Sequence, residues 1–183
     1  MRKVLYILGQ LDDQDVDWLS EAGERRQVNA GDILIQERKP CDEILIVLDG
    51  TLAVTIDKLG EVAQLNAGEI VGEMSLVDSR PPSATVTAAE SSTVLSISKN
   101  MIQEKLEIDI GFAARFYHAL AIFLSSRMRG TVQKLGYGSD DDSTDELDED
   151  VEAEDELDLN VLDNIHLAGA RFDRMLKKLM GTD

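Results

Sequence analysis

Short aliphatic runs, separated by turn residues every 8–12 positions, fill residues 27–98 and constrain the fold more than any other feature. Such spacing is typical of antiparallel strands that close into a sandwich or a barrel. Aromatic residues make up only 4% of the chain, so a core in this region is aliphatic. The runs that we interpret as strands are Ile33–Ile35, Ile44–Leu48, Thr51–Ile56, Val62–Leu65, Ala84–Ala88 and Thr93–Ser98.

Asp49-Gly50 stands between two of these runs and predicts a β-hairpin, because both residues tolerate the positive φ of a tight turn. In the second run Leu52, Val54 and Ile56 alternate with small or polar residues. Such alternation predicts a strand with one buried face.

Helical periodicity precedes and follows the strands. Residues 11–22 are predicted to form a short helix with Asp12 as N-cap and Gly23 as the stop. Residues 99–135 return to the helical period, and Gly111 offers a point at which this region divides into two helices. The wide apolar stripe of the region consists of Phe112, Phe116, Leu120, Phe123, Met128, Val132 and Leu135.

The last third of the chain changes character. Residues 140–158 carry 13 acidic residues and no Lys or Arg, which favours a flexible acidic linker over residues 137–160. Residues 161–180 predict an amphipathic helix with Arg171, Arg174, Lys177 and Lys178 toward its end. We therefore expect a domain over residues 1–136, the linker, and a C-terminal helix.

Composition excludes several classes of protein. The net charge of −18 argues against direct contact with DNA or with an anionic membrane surface, because both need clustered basic residues. The single Cys41 excludes an internal disulfide. His118 and His166 have no partners at metal-ligand spacing, and no enzyme motif is present. The first apolar run is too short for a signal peptide, so we expect a soluble cytoplasmic protein.

Residues 68–86 are the best candidate for a ligand site. A strand ends at Gly72, and Glu73–Val77 predict one helical turn whose free N–H groups attract an anion. Gly72 lets a ligand approach the backbone, and Glu73 can accept a hydrogen bond from a ribose hydroxyl. Pro81-Pro82 then stops the loop before the next strand.

This segment resembles the phosphate-binding cassette of the cyclic-nucleotide-binding domain family, in Gly72-Glu73, Pro81 and Ser83-Ala84-Thr85. Flanking glycines of the family also match Gly31, Gly50, Gly60 and Gly68, and the resemblance covers about residues 10–130. It implies a mainly β fold with flanking helices, an antiparallel β-roll of the jelly-roll type followed by a long helix. The basic winged helix with which some members bind DNA has no counterpart here.

One position departs from the family pattern. The resemblance places a phosphate-binding arginine directly after Pro81, where this chain has Pro82, which carries no cation and no backbone donor. Loss of that charge-assisted bond should cost roughly 2–5 kcal/mol. The ligand residues that the resemblance implies, if the cassette functions, are Gly72, Glu73, Met74, Ser75, Arg80, Ser83, Ala84 and Thr85.

Structural roles remain open for several of these residues. Gly72 can serve only a tight turn, and Glu73 can hydrogen-bond the loop's own amides. Arg80 can be solvated or can swing into the site, and Ser83 can satisfy strand-edge backbone.

Three functions are therefore weighed. The first is a non-catalytic regulatory or interaction protein with a degenerate cassette, acting through protein contacts or a homodimer formed by residues 112–135 and 161–180. The second is a sensor that still binds cyclic AMP, cyclic GMP or another small anion, and no other cofactor is expected. The third, in which the C-terminal helix is a membrane anchor, is weak because the acidic run adjoins it.

Overall fold

The computed structural model describes residues 4–78, 80–134 and 159–181, and the side chains of residues 7–78, 80–129 and 166–181. Eight strands and six helices occur in this part of the chain. The strands are β1 (Glu24–Val28), β2 (Ile33–Ile35), β3 (Glu43–Asp49), β4 (Thr51–Ile56), β5 (Gly60–Asn66), β6 (Ile70–Val71), β7 (Thr85–Ala88) and β8 (Ser92–Ser98). The helices are α1 (Val4–Gln10), α2 (Asp13–Ala22), α3 (Met74–Val77), α4 (Lys99–Ile108), α5 (Ile110–Lys134) and α6 (Leu159–Met180).

The strands form two four-stranded sheets. One sheet has the order β1-β8-β3-β6 and the other has the order β2-β7-β4-β5. Every pairing is antiparallel, as between Ile46 and Leu95 in the first sheet and between Leu52 and Ala88 in the second. The predicted mainly β fold, an antiparallel β-roll with flanking helices and a long helix after it, is confirmed.

The hairpin predicted at Asp49-Gly50 is wrong. β3 and β4 lie in different sheets, where β3 pairs with β8 and β6, and β4 pairs with β5 and β7. Gly50 has a φ of +88°, and a Cβ on it would lie 2.3 Å from the Ser92 hydroxyl oxygen. The turn residues therefore make a corner between the sheets, because β8 occupies the space beside the turn.

Two apolar cores lie on opposite faces of the first sheet. The inner core, between the sheets, contains Leu45, Val47, Leu52 and Val86. The outer core lies between the first sheet and the helices. β3 contributes Leu45 and Val47 to the inner core and alternate residues to the outer core, so both of its faces are buried and its apolar run is continuous.

The first helix was not predicted, and the boundaries of others differ. α1 covers residues that the sequence analysis considered only as a signal peptide, and β1 begins at Glu24 instead of near 27. α2 has the predicted Asp12 N-cap, which forms a capping box with Asp15, and ends before Gly23. The break between α4 and α5 falls at Asp109, while Gly111 lies inside α5.

α5 and α6 close the outer core. α5 contributes Phe112, Phe116, Ala119, Leu120 and Phe123, whereas Met128 of the predicted stripe is exposed. α6 contributes Ala168, Phe172 and Met175 and packs on α1 and α2. The acidic linker predicted for residues 137–160 lies outside the described residues, except where α6 begins.

Candidate functional site

The cassette begins with a close approach of backbones at Gly72. β6 pairs with β3, and Gly72 then adopts a φ of +93°. A Cβ at this position would lie 2.6 Å from the carbonyl oxygen of Glu43. Only glycine fits this conformation and this space, so Gly72 has the tight-turn role that the sequence analysis left open. The turn directs the chain into α3, with Glu73 as its N-cap.

Glu73 is the buried acidic group of the cassette. Its side chain is 1% exposed, and Oε1 forms an ion pair with Nη1 of Arg127, which comes from α5. Oε2 is buried and has no hydrogen-bond partner among the described residues. Burial raises the pKa of Glu73 above its ordinary value, although Arg127 and, less strongly, Lys99 oppose the shift.

Lys99 is a second cation beside Glu73. It is the first residue of α4 and is buried. Its Nζ donates to the Ser75 hydroxyl at 2.6 Å and to the carbonyl oxygen of Cys41. Ser75 in turn donates to the carbonyl oxygen of Gly72 at 3.3 Å. Lys99 therefore fixes α3 to the start of α4, and two cations from outside the cassette flank its carboxylate.

Three of the predicted ligand residues are exposed at the surface. The Arg80 side chain is 84% exposed and lies 3.7 Å from a carboxylate oxygen of Asp78, so it does not swing into the site. Met74 and Ser83 are exposed as well. The structure brings Gly72, Glu73 and Ser75 together and leaves Met74, Arg80 and Ser83 at the surface.

The end of the cassette is bound to the loop between β2 and β3. The Arg38 N–H donates to the carbonyl oxygen of Pro82 at 2.8 Å. The Glu37 N–H donates to the Thr85 hydroxyl at 3.1 Å. The Ala84 side chain packs against the inner core. Thr85 and Pro82 thus hold a neighbouring loop, and Ala84 fills space in the core.

A cavity of about 470 Å³ lies beside Thr85, between the β2–β3 loop and the turn after β4. Arg38, Lys58 and Thr85 line it, together with Glu37 and Asp57. Glu73 does not line this cavity. Because its cations are matched by nearby carboxylates and it lies away from the cassette carboxylate, we do not assign a ligand to it.

The cysteine and the two histidines form no binding site among the described residues. Cys41 is half-buried, and its thiol donates to the carbonyl oxygen of Glu43 at 3.2 Å. His118 and His166 are exposed on different helices. Within the described ranges no group of three or more His, Cys, Asp or Glu residues could hold a metal ion. No helix of this part of the chain is long and apolar enough to cross a membrane.

Arg127 and Lys99 were not predicted as parts of the site. Arg127 lies far from Glu73 along the chain, on a helix whose turn toward the cassette depends on the packing of Phe112, Phe116 and Phe123. Lys99 stands at a strand–helix junction, which is a common place for a solvated lysine. Neither position carries a local signal from which the contact could be inferred.

Solved structures of the same fold define the class of protein. A cyclic nucleotide-binding domain from Methylobacillus flagellatus kt superposes with a TM-score of 0.65 at 22% identity, covering 78% of this chain and 85% of that one. The N-terminal domain of a transcriptional regulator from Streptomyces coelicolor A3(2) has a TM-score of 0.59 at 27% identity, covering 70% of this chain and 94% of that one. The fold is therefore that of cyclic nucleotide-binding domains.

The sequence matches agree with this class. Residues 25–109 match the model of the cyclic nucleotide-binding domain. A cAMP-dependent protein kinase regulatory subunit from Candida albicans is 28% identical over 104 residues, which are 57% of this chain and 23% of that protein. An uncharacterized NTE family protein from Mycobacterium tuberculosis is 28% identical over 101 residues, 17% of its length. The chain thus spans less than a quarter of these relatives.

Proposed function

We propose that the chain is a non-catalytic regulatory protein whose cassette has lost its phosphate anchor and which acts through protein contacts. The ion pair between Glu73 and Arg127 carries this proposal. The family's ribose-binding position is occupied by an internal partner, while the arginine position is Pro82. Arg80, the cassette's own cation, is solvated and pairs with Asp78.

A second copy of the chain is the partner that α5 fits. Five exposed residues and the half-buried Leu124 recur along α5 at alternating spacings of four and three, the period of a coiled-coil seam. This line of residues, which we name the α5 seam, consists of Ile110, Ala114, Tyr117, Ala121, Leu124 and Met128. It differs from the buried Phe112, Phe116 and Phe123 line, which the sequence analysis had included in a dimer contact. The α5 seam, of which only Leu124 also packs against the outer core, therefore supports a homodimer formed by a largely exposed face.

One observation favours the alternative, a sensor that still binds a cyclic nucleotide or another small anion. The buried Oε2 of Glu73 is an acceptor without a donor among the described residues, as a site for a ribose hydroxyl would be. Arg127 and Lys99 also supply positive charge near Glu73. Arg127 pairs with the other carboxylate oxygen, Oε1.

Titration with cyclic AMP and cyclic GMP separates the two functions. We expect no thermal stabilisation of the wild-type chain at micromolar nucleotide, because the phosphate lacks its charge-assisted partner. The variant Pro82→Arg restores that partner and should bind roughly 30-fold more tightly or better, since each 1.4 kcal/mol is a factor of about ten.

The matched control is Pro81→Arg, which adds the same charge one position earlier. A stabilisation of several degrees in the wild-type chain would support the sensor and contradict the degenerate cassette.

A further inference from the structure

α6 is attached to the domain by an apolar stripe that faces α1 and α2. Ala168, Phe172 and Met175 of this stripe are buried in the same core cluster as Leu8 of α1 and Leu19 of α2. Phe172 has no exposed surface. The surface of α1 and α2 beneath α6 is therefore an acceptor for an amphipathic helix, and we name it the α1–α2 groove.

Charged side chains surround this apolar contact. Arg171 Nε lies 2.7 Å from Asp13 Oδ1, and Arg174 Nη1 lies 3.3 Å from Asp13 Oδ2. Arg174 also lies 3.5 Å from Asp17, and Lys178 Nζ lies 2.7 Å from Glu21. The acidic rim (Asp13, Asp17, Glu21) thus matches the basic face (Arg171, Arg174, Lys178) in register. Most of these side chains are substantially exposed, so salt screens their attraction.

The backbone adds contacts that fix the direction of α6. Arg171 Nη1 donates to the carbonyl oxygen of Leu8 at 2.9 Å. Arg25 Nη1 donates to the carbonyl oxygen of Leu179 at 3.1 Å, at the last turn of α6. A docked helix therefore has one orientation and one register, as a specific binding partner would.

The connection between α5 and α6 does not restrict which groove α6 occupies. Residues 135–158 join the two helices, and a segment of that length reaches up to about 80 Å when extended. Every copy of the chain carries both the groove and the helix. In a dimer paired at the α5 seam, α6 can dock on its own copy or on the other copy without leaving the complex. Both modes of docking use identical contacts.

We propose that α6 is exchanged between two copies, so that α6 of one copy occupies the α1–α2 groove of the other. The argument that the second groove lies within reach rests on the proposed α5 dimer. Exchange of an identical element is a route to dimers of low energetic cost, because no new surface has to be built. The interaction surface is thus an acidic-rimmed groove, and its occupant is the basic helix of a second copy.

Charge reversal on full-length chains tests the exchange. A helix-reversed chain carries Arg171→Glu, Arg174→Glu and Lys178→Glu, and a groove-reversed chain carries Asp13→Lys, Asp17→Lys and Glu21→Lys. Each variant alone should lose hydrogen-exchange protection of α6. The chain that carries all six changes is the matched control, because it restores opposite charges within one copy and shows that the changed surfaces still fold.

An equimolar mixture of the helix-reversed and groove-reversed chains gives the decisive result. Under exchange, the mixture forms a complex of one copy of each variant by native mass spectrometry, and α6 protection returns at least tenfold. A mixture that behaves as the sum of its parts, while the six-change chain is protected, would overturn exchange in favour of docking within one copy.

Tyr117→Glu in the otherwise wild-type chain tests the α5 seam separately, by loss of the dimer mass. A wild-type dimer that persists in Tyr117→Glu, together with pairing in the mixture, would remove the seam and leave exchange standing. A wild-type monomer would overturn both, because exchanged helices hold two copies together. A wild-type dimer that depends on Tyr117, together with no pairing in the mixture, would remove exchange and leave the seam.

Discussion

Two helices pack on the same domain, and they do so by different means. α5 places five buried side chains in the outer core, three of them phenylalanines, and joins the cassette through a carboxylate that is 1% exposed. α6 places three buried side chains there and surrounds them with ion pairs that solvent reaches. α5 is therefore an integral part of the domain, whereas the contacts of α6 are of the kind that separate and form again.

The ion pairs of the two regions differ in the same way as the helices do. Around Glu73, burial works against the charged form, so the pair with Arg127 compensates a desolvation penalty. Along the acidic rim, the hydrogen bond from Arg171 lowers the pKa of Asp13 by more than desolvation raises it. A buried pair fixes one arrangement because breaking it leaves an unpaired charge, and an exposed pair selects a partner at small energetic cost.

The largest effect should come from truncating Phe112 of α5, and Phe172 of α6 provides the comparison. Phe112→Ala removes a fully buried ring that stacks on Phe116 and meets the edge of Trp18, and should destabilise the domain by about 3–5 kcal/mol. Phe172→Ala removes an equally buried ring of α6, but its effect on the domain is limited to the docking free energy of that helix. Urea unfolding followed by Trp18 fluorescence should show a large shift of the midpoint only for Phe112→Ala.

His118→Ala, at an exposed position of α5, is the control and should leave the midpoint unchanged. Hydrogen exchange completes the comparison, because Phe172→Ala should abolish protection of α6 alone. Equal shifts of the urea midpoint for both phenylalanine variants would mean that α6 unfolds together with the domain, and the distinction between the helices would fail.

The next effect concerns the pair between α5 and the cassette. Arg127→Met leaves Glu73 buried without its ion-pair partner and should cost about 2–3 kcal/mol, less than for a fully buried pair because Arg127 is 29% exposed. The double variant Arg127→Met with Glu73→Gln removes the uncompensated charge and should recover most of that loss. Urea midpoints of the two single variants and the double variant give the coupling energy. Additive losses would contradict a direct pair.

Much of the fold follows from local patterns in the sequence. The aliphatic runs predict most of the strands, and Asp12 and Gly23 predict the ends of α2, because strand period and capping are local properties. The error at Asp49-Gly50 has a different origin. A turn signal specifies that the chain reverses or bends, but which strand then pairs with β4 depends on the distant β7, which no local pattern contains.

The candidate site divides in the same way. Gly72 and Glu73 are recognisable because their roles are fixed by the turn that they form. Arg127, Lys99 and the α5 seam became apparent only when packing had set the rotation of α4 and α5. The stripe of Phe112, Phe116 and Phe123 was correctly identified as apolar, but the sequence could not decide whether the domain or a second copy buries it.

The smallest effects, and the sharpest contrast between the regions, should appear on acidification. The pKa of Asp13 is lowered below 3.8, chiefly by the hydrogen bond from Arg171, so its contribution is present above pH 3.8 and is lost as the pH falls through the folded-state value. The pKa of Glu73 is raised above 4.5, chiefly by burial, so its contribution is present below pH 4.5 and is lost as the pH rises through the folded-state value. Acid should therefore loosen α6, whereas protonation of the buried Glu73 should stabilise the domain.

Two variants, each of which replaces one carboxylate by an amide, separate these opposite pH dependences. Glu73→Gln should gain stability relative to the wild-type chain as the pH rises from 4.5 toward 7, because the wild type must then bury a charge that the variant lacks. Asp13→Asn should leave the domain unaffected and should remove the acid sensitivity of α6 docking, measured by NMR shifts of Phe172 between pH 5 and pH 3. If Glu73→Gln followed the wild-type stability at every pH, Glu73 would not be titrating as a buried acid. If α6 of the Asp13→Asn variant still separated from the domain at the same midpoint pH as in the wild type, the acidic rim would not control its docking. The contrast between α5 and α6 would then rest on Phe172 alone.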